Sequence, residues 1–410
     1  MTNAPVTNAR TDRFFNFPVT ILIFASFMLG MSEFVVVGIL PDIASGLKIS
    51  EVTVGNLVAL FAFVYAPCTP IGSALSARFP RFATYLILMG VFLVGNILCA
   101  LAPNYPVLLI ARLLIASVSG TLVAISMTFA PDVTTDKYRT KFIAWVFSGF
   151  SIASVVGVPI GTWVANTFGW RVTFYLVSVL TAVLMISMVL VLPRNSHPAK
   201  IGFLRQFRLF FDRRIQLGVL DVVCGAAASY VFYTYLSPIM RDEIGVPEQY
   251  LSIGLVIYGC ACLWSNLYGG KLADKGRGVE PLTHIRPIYC VQAVCLCLLA
   301  FASLVPAAGA LLLVVLGMLM YLQNSASQVL YMDVAYQSHP GSVNLAASLN
   351  SMSFNIGIAI GSAVGGLVND LLGLAWLGPV GAIFALFAAG SLHCCVRIFS
   401  GDLRARTALS

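Results

Sequence analysis

The stretch PVTILIFASFMLGMSEFVVVGILP, residues 18–41, carries a single ionisable side chain, Glu33, in a run otherwise made of apolar and small residues. Prolines bound it at both ends, and its length passes the roughly 20 residues that carry a helix across the hydrocarbon of a bilayer. A segment in lipid must satisfy every backbone donor and acceptor internally, so the run predicts a helix. Glu33 then lies inside the membrane, and its purpose there is the central question.

The pattern recurs along the chain. Apolar runs bounded by Pro, Gly or charged clusters lie near 18–41, 52–77, 82–102, 106–130, 141–166, 171–193, 215–238, 250–270, 287–305, 308–331, 343–369 and 375–397. Only 10% of the residues are charged and 59% are hydrophobic, whereas a water-soluble domain carries about a quarter of its residues as charges. The expected fold is an all-α membrane protein of twelve transmembrane helices.

The formal charge of +8 could suggest nucleic acid as a partner, but the distribution of the cations argues against it. With the amino terminus cytoplasmic and sides alternating, 20 of the 24 Lys and Arg fall in cytoplasmic segments; Lys48, Arg171 and Arg241 fall outside, and Arg112 within a span. That is the positive-inside rule, which places both termini in the cytoplasm of a cell (inner) membrane protein. The basic segment RNSHPAKIGFLRQFRLFFDRR (194–214) reads as a cytoplasmic linker. The polar start Met1–Phe17 lacks a cleavable-signal pattern. The ten cysteines lack the spacing and histidines of a zinc site and read as packing residues, so neither metal nor cofactor is expected.

An internal repeat organises the sequence. Pro41 and Pro238 close spans 1 and 7, Gly72 and Gly269 close spans 2 and 8, and Ala153, Gly157 and Gly161 of span 5 correspond to Ser353, Gly357 and Gly361 of span 11. Six crossings return the chain to its starting side, so the repeats are parallel: an N-terminal half 1–193, the linker 194–214 and a C-terminal half 215–410. Secondary transporters are often built so, with the substrate site between repeats near the midplane. Gly149, Ala153, Gly157 and Gly161, like Ser353, Gly357, Gly361 and Gly365, form ridges without bulk that admit close helix approach. Pro159 removes a backbone donor between two of these glycines and invites a bend.

EFVVVGILPDIA (33–44), ARLLIASVSG (111–120), GVPIG (157–161), FGWRVTFYLV (168–177), YTYLSPIM (233–240), GGKLADKGR (269–277) and LNSMSFNIGIAIGSAVGGLVNDLLG (349–373) together resemble the major facilitator superfamily. The likeness is to its twelve-span drug:proton antiporter family, in the arabinose efflux permease and sugar or nucleoside exporter branch. The resemblance implies that Arg112 is the span-4 arginine tied to proton coupling, and that GVPIG is the span-5 antiporter motif, associated with exchange. It implies a loop signature after span 2 at GSALSARFPR (72–81), where Arg78 and Arg81 remain but Ala77 replaces the acid and Pro80 the glycine. The second copy of that loop keeps Asp274 and Arg277.

A carboxylate at the centre of a membrane helix costs about 2.5–3.5 kcal/mol on insertion scales, so Glu33 should face protein or a wet cavity and have a partner. At 1.5 Å per residue it lies about 12 Å below the outer end of span 1, and Arg112 about 9 Å below the same face. The resemblance makes spans 1 and 4 neighbours at a central cavity, so a Glu33–Arg112 pair is feasible. Burial favours the neutral acid and a neighbouring guanidinium the carboxylate, a balance that suits a group exchanging protons; a fixed helix-locking pair is the alternative. Asp221 in span 7 is a lesser candidate, and Asp333 is expected at the inner mouth of span 10.

For the substrate pocket, Tyr230, Tyr233 and Thr234 of span 7, Tyr321 and Asn324 of span 10, and Asn350 and Asn355 of span 11 supply aromatic walls and a few polar groups. No Gly-x-x-x-x-Gly-Lys-Ser/Thr phosphate loop is present, so ATP hydrolysis is unsupported and an ion gradient is the expected energy source. The sequence therefore predicts no enzyme but a monomeric, proton-driven exporter of a small molecule such as a drug, sugar or nucleoside. A proton-coupled importer and a non-transporting membrane sensor are the alternatives.

Overall fold

The computed structural model describes residues 14–76, 78–135, 138–194, 207–273, 280–339 and 342–407, and among these there are helices and turns but no β-strand. The membrane helices, labelled by span, are α1 (Phe17–Gly38), α2 (Glu51–Ser76), α3 (Arg81–Leu101), α4 (Tyr105–Thr128), α5 (Arg139–Ile152 continuing to Phe168), α6 (Trp170–Val191), α7 (Arg213–Tyr233), α8 (Glu248–Ala273), α9 (Arg286–Leu299), α10 (Pro306–Leu319 with Asn324–Ser338), α11 (Val343–Leu372) and α12 (Leu377–Thr407). Eleven are long and apolar enough to cross a bilayer. The exception, α9, has 14 helical residues, about 21 Å at 1.5 Å per residue. Tight turns extend it, with Ala300, Phe301, Ala302 and Leu304 each bonding the carbonyl three residues back.

Local sequence explains several boundaries. Asn16 caps α1 by accepting from the Val19 amide at 2.9 Å, with Pro18 in the first turn. Asn104 caps α4 in the same way, at 3.2 Å from Val107 N. α5 and α6 are joined at Gly169 (φ 93°), and α11 and α12 at Gly373 (φ 89°). Both backbones lie where a Cβ is strained, so glycine closes the equivalent turn in each half of the chain.

Helix neighbours also repeat under a shift of six. α1 packs on α5 and α6, α2 on α4, and α3 on α4 and α6; α7 packs on α11 and α12, α8 on α10, and α9 on α10 and α12. Between the first six and the last six helices the main contacts are α2 with α11 and α5 with α8, two pairings that the same shift interchanges. The glycine ridges serve packing within each group. A Cβ on Gly149 would come 2.8 Å from Ser26 Cβ and one on Gly157 3.1 Å from Met31, both on α1. On α11, a Cβ at Gly361 would lie 2.6 Å from the Ala227 carbonyl oxygen of α7, and Gly357 abuts the Val223 carbonyl. The break around Pro159 takes the form of a π-helical turn at Ala153–Gly157, and Gly259 of α8 packs against its Ser154 carbonyl.

Candidate functional site

At mid-membrane depth a small cavity is lined by Glu33, Phe34, Val37, Val58, Phe61, Arg112, Tyr230 and Ile358. These come from α1, α2, α4, α7 and α11, so both halves of the chain contribute. Arg112 is 1% exposed and belongs to the α4 face that packs on α1 and α2. Its guanidinium bonds the α1 backbone: Nη1 donates to the Ser32 carbonyl at 2.6 Å and Nη2 to the Glu33 backbone carbonyl at 3.2 Å, while Nε has no hydrogen-bond partner among the described residues. The group lies 4.3 Å from the Phe61 ring centroid, a cation–π contact. No ion pair joins it to the Glu33 carboxylate. Ser32 is held in turn through its hydroxyl, which donates to Asn96 Oδ1 of α3 at 2.8 Å. Arg112 thus fixes the α1 backbone while the Glu33 side chain faces the cavity.

The opposite wall is aromatic. Tyr230 makes edge contacts with Tyr233 at 5.1 Å and Phe354 at 5.8 Å; Tyr233 stacks on Tyr258, and Tyr321 on Phe354. Of the residues proposed from sequence for the pocket, Tyr230 reaches the cavity, and Tyr233 and Tyr321 stand behind it as the second layer. Thr234 is committed to packing, its hydroxyl bonding the Tyr230 carbonyl and Ser362 Oγ at 2.9 and 2.7 Å. Asn324, Asn350 and Asn355 each keep a buried amide oxygen without a hydrogen-bond partner, but none lines the cavity. The wall residues absent from the sequence reading, Phe61, Tyr258 and Phe354, belong to apolar runs in which nothing separates a cavity face from a packing face.

α10 is interrupted at 320–323. There the Tyr321 amide leaves the helical ladder and donates to Ser265 Oγ of α8 at 2.9 Å. Discontinuous helices of this kind characterise transporter binding sites.

One end of the bundle, opposite the 194–214 linker, is closed over the cavity. Ser237 Oγ donates to the Val37 carbonyl at 3.0 Å, and Arg241 pairs with Glu51 at 2.8 Å. Asp42 lies in the short helix Leu40–Leu47 beyond α1. Its carboxyl is pushed up to about 6, chiefly by burial and further by Glu248, against the opposing pull of its own backbone bond and Arg241. At the linker end, Arg78 is exposed. Arg81 pairs with Asp132, donates to the Thr128 carbonyl at 2.5 Å, and lies 4.2 Å from the Phe129 ring centroid. The acid missing at Ala77 is therefore supplied to Arg81 from the segment after α4. Asp274 and Arg277 lie outside the described residues.

A sequence profile described as Major Facilitator Superfamily matches residues 22–349. The chain belongs to this superfamily. Similar proteins include the uncharacterised MFS-type transporter YtbD of Bacillus subtilis, 31% identical over 370 residues that span 89% of this chain and 92% of YtbD. The inner membrane transport protein YdhP of Escherichia coli is 29% identical over 371 residues, 90% of this chain and 93% of YdhP. Among solved structures, a bacterial homologue of the human lysosomal transporter Spinster, inward-facing and unoccupied, superposes with a TM-score of 0.72 over 94% of this chain and 98% of its own, at 16% identity. Its occupied inward-facing form gives 0.74 at 14% identity, over 94% of this chain and 97% of its own. The superfamily member described here is thus a multi-pass membrane transporter, not an enzyme.

Proposed function

We propose that this transporter exports a small amphipathic molecule, of the drug, sugar or nucleoside type, in exchange for protons. The observation that carries the reading is the Glu33 carboxylate, which lines the shared cavity beside an arginine that bonds two backbone carbonyls and not the carboxylate. A carboxylate in lipid without a bonded cation is costly when ionised. Glu33 therefore holds a proton until water or cargo enters, and releases it when the cavity opens toward the lower proton activity. Export follows from the cycle: protons load from outside, cargo displaces them from inside, and segments 1–193 and 215–410 rock about the cavity with 194–214 as their cytoplasmic link. The tight contacts opposite the linker support a resting form closed to the outside, in a monomer with both termini cytoplasmic in the cell membrane.

The antiporter motif, the aromatic wall and the coupled carboxylate support exchange over co-transport. In inside-out vesicles under an imposed pH gradient, a cargo found by screening is expected to release protons on addition. Proton and cargo moving in the same direction would establish an importer instead.

A further inference from the structure

A second carboxylate is buried far from the cavity. Asp221 of α7 is 1% exposed and neither oxygen reaches solvent. Eight residues from the start of α7, it lies about 12 Å into the membrane from the linker face, whereas Glu33 lies about 24 Å from that face.

Its surroundings are built from donors. One turn along α7, a Cβ on Gly225 would come 2.5 Å from Tyr289 Oη and 2.7 Å from Gln323 Nε2, so both polar atoms close on bare backbone beside the acid. Tyr289 of α9 stands beside Asp221, and neither its hydroxyl nor either Asp221 oxygen has a hydrogen-bond partner among the described residues. A further turn on, Ser229 Oγ accepts from Gln292 Nε2 at 3.0 Å, and Tyr230 then reaches the central cavity. The titratable groups facing Asp221 are Tyr289, Cys224 of its own helix, Tyr331 of α10 and Cys395 of α12; α11 contributes Ser353, whose hydroxyl donates to the Leu349 carbonyl. None is a cation. Arg214, which acts on Cys395, is held by Asp212 at 2.7 Å. An ionised carboxylate buried without a cation is strongly disfavoured, and a proton relieves that cost.

The interruption of α10 links the two sites. Its unwound turn sends Tyr321 to the aromatic wall of the cavity and Gln323 to the Gly225 backbone, one turn from Asp221. We propose that Asp221 is a second proton-binding site, contained within the last six helices, which exchanges its proton with the cavity along the polar face of α7 when α10 moves about its unwound turn. The role in transport rests on the proton-coupled reading above; occupancy by a proton does not.

Infrared pH-difference spectra of the full-length protein in lipid separate the two. The parent is expected to show two protonated-carboxyl C=O signals; Asp221→Asn removes one and leaves the other, which Glu33→Gln removes. Tyr289→Phe shifts the Asp221 signal to higher frequency, and this variant decides the matter if Asp221→Asn fails to fold. Unchanged spectra in the folded variant, or loss of the signal on adding NaCl at fixed pH, overturn the proposal, the latter in favour of a monovalent-cation site. Protons released per cargo should fall twofold in Asp221→Asn, and an unchanged ratio overturns exchange at this site. If Glu33→Gln leaves transport coupled while the Asp221 signal persists, the Glu33 reading fails and this one stands.

Discussion

Replacing Arg112 by lysine tests whether the guanidinium acts as a two-pronged backbone clamp. It donates from two nitrogens to two consecutive carbonyls, at 2.6 and 3.2 Å, and lies over Phe61. A hydrogen bond to a charged group contributes about 1.5–3 kcal/mol, and a desolvated cation–π contact about 2 kcal/mol. An ammonium has three donors on a single nitrogen and no planar fork, so it cannot meet the two carbonyls from separate nitrogens or lie flat on a ring. Arg112→Lys therefore loses about 3–5 kcal/mol of favourable contacts while the cost of holding a cation out of water persists. Arg112→Met loses every polar contact but also removes that cost, several kcal/mol per ion. The predicted order of thermal stability in lipid nanodiscs is parent, then Met, then Lys. A lysine variant as stable as the parent, or more stable than the methionine one, refutes the clamp.

Three further outcomes follow from the packing and the closed end. Arg241→Ala removes the bridge to Glu51, a partly exposed pair worth about 0.2–1 kcal/mol, and should shift the population toward the outward-open form by up to about fivefold, read by spin-label distances across that end. Asp42, raised to about 6 from an ordinary 3.8, stabilises the closed end fully below the lower value and loses that contribution as pH rises through the higher one; Asp42→Asn should flatten this pH dependence in the same measurement. Gly361→Val must push α11 off the Ala227 carbonyl of α7, and an unfolding assay should show a loss of about 1–3 kcal/mol.

The legible part of the fold is the part governed by lipid. Apolar run length and backbone satisfaction locate the spans, and small residues mark which helices approach closely. The α10 interruption is different in kind: Ser265 of α8 captures the Tyr321 amide, a tertiary bond with no mark in the local sequence. Pro159 pointed to a bend, but its resolution as a π turn at Ala153–Gly157 depends on packing against α8. Within the site, depth along the helices brought Glu33 and Arg112 to one level, yet residue counting cannot tell a guanidinium aimed at a carboxylate from one aimed at carbonyls. Asp132 as partner of Arg81 was hidden for the same reason, since the two lie 51 positions apart and meet only through the packing of α3 on α4.

The central claim is tested most directly by comparing two fluxes of one identified cargo in proteoliposomes containing Glu33→Gln. Exchange of cargo at equal concentrations should proceed near the parent rate, while accumulation driven by a pH gradient falls to the level seen without one. Uphill accumulation equal to that of the parent would contradict the account.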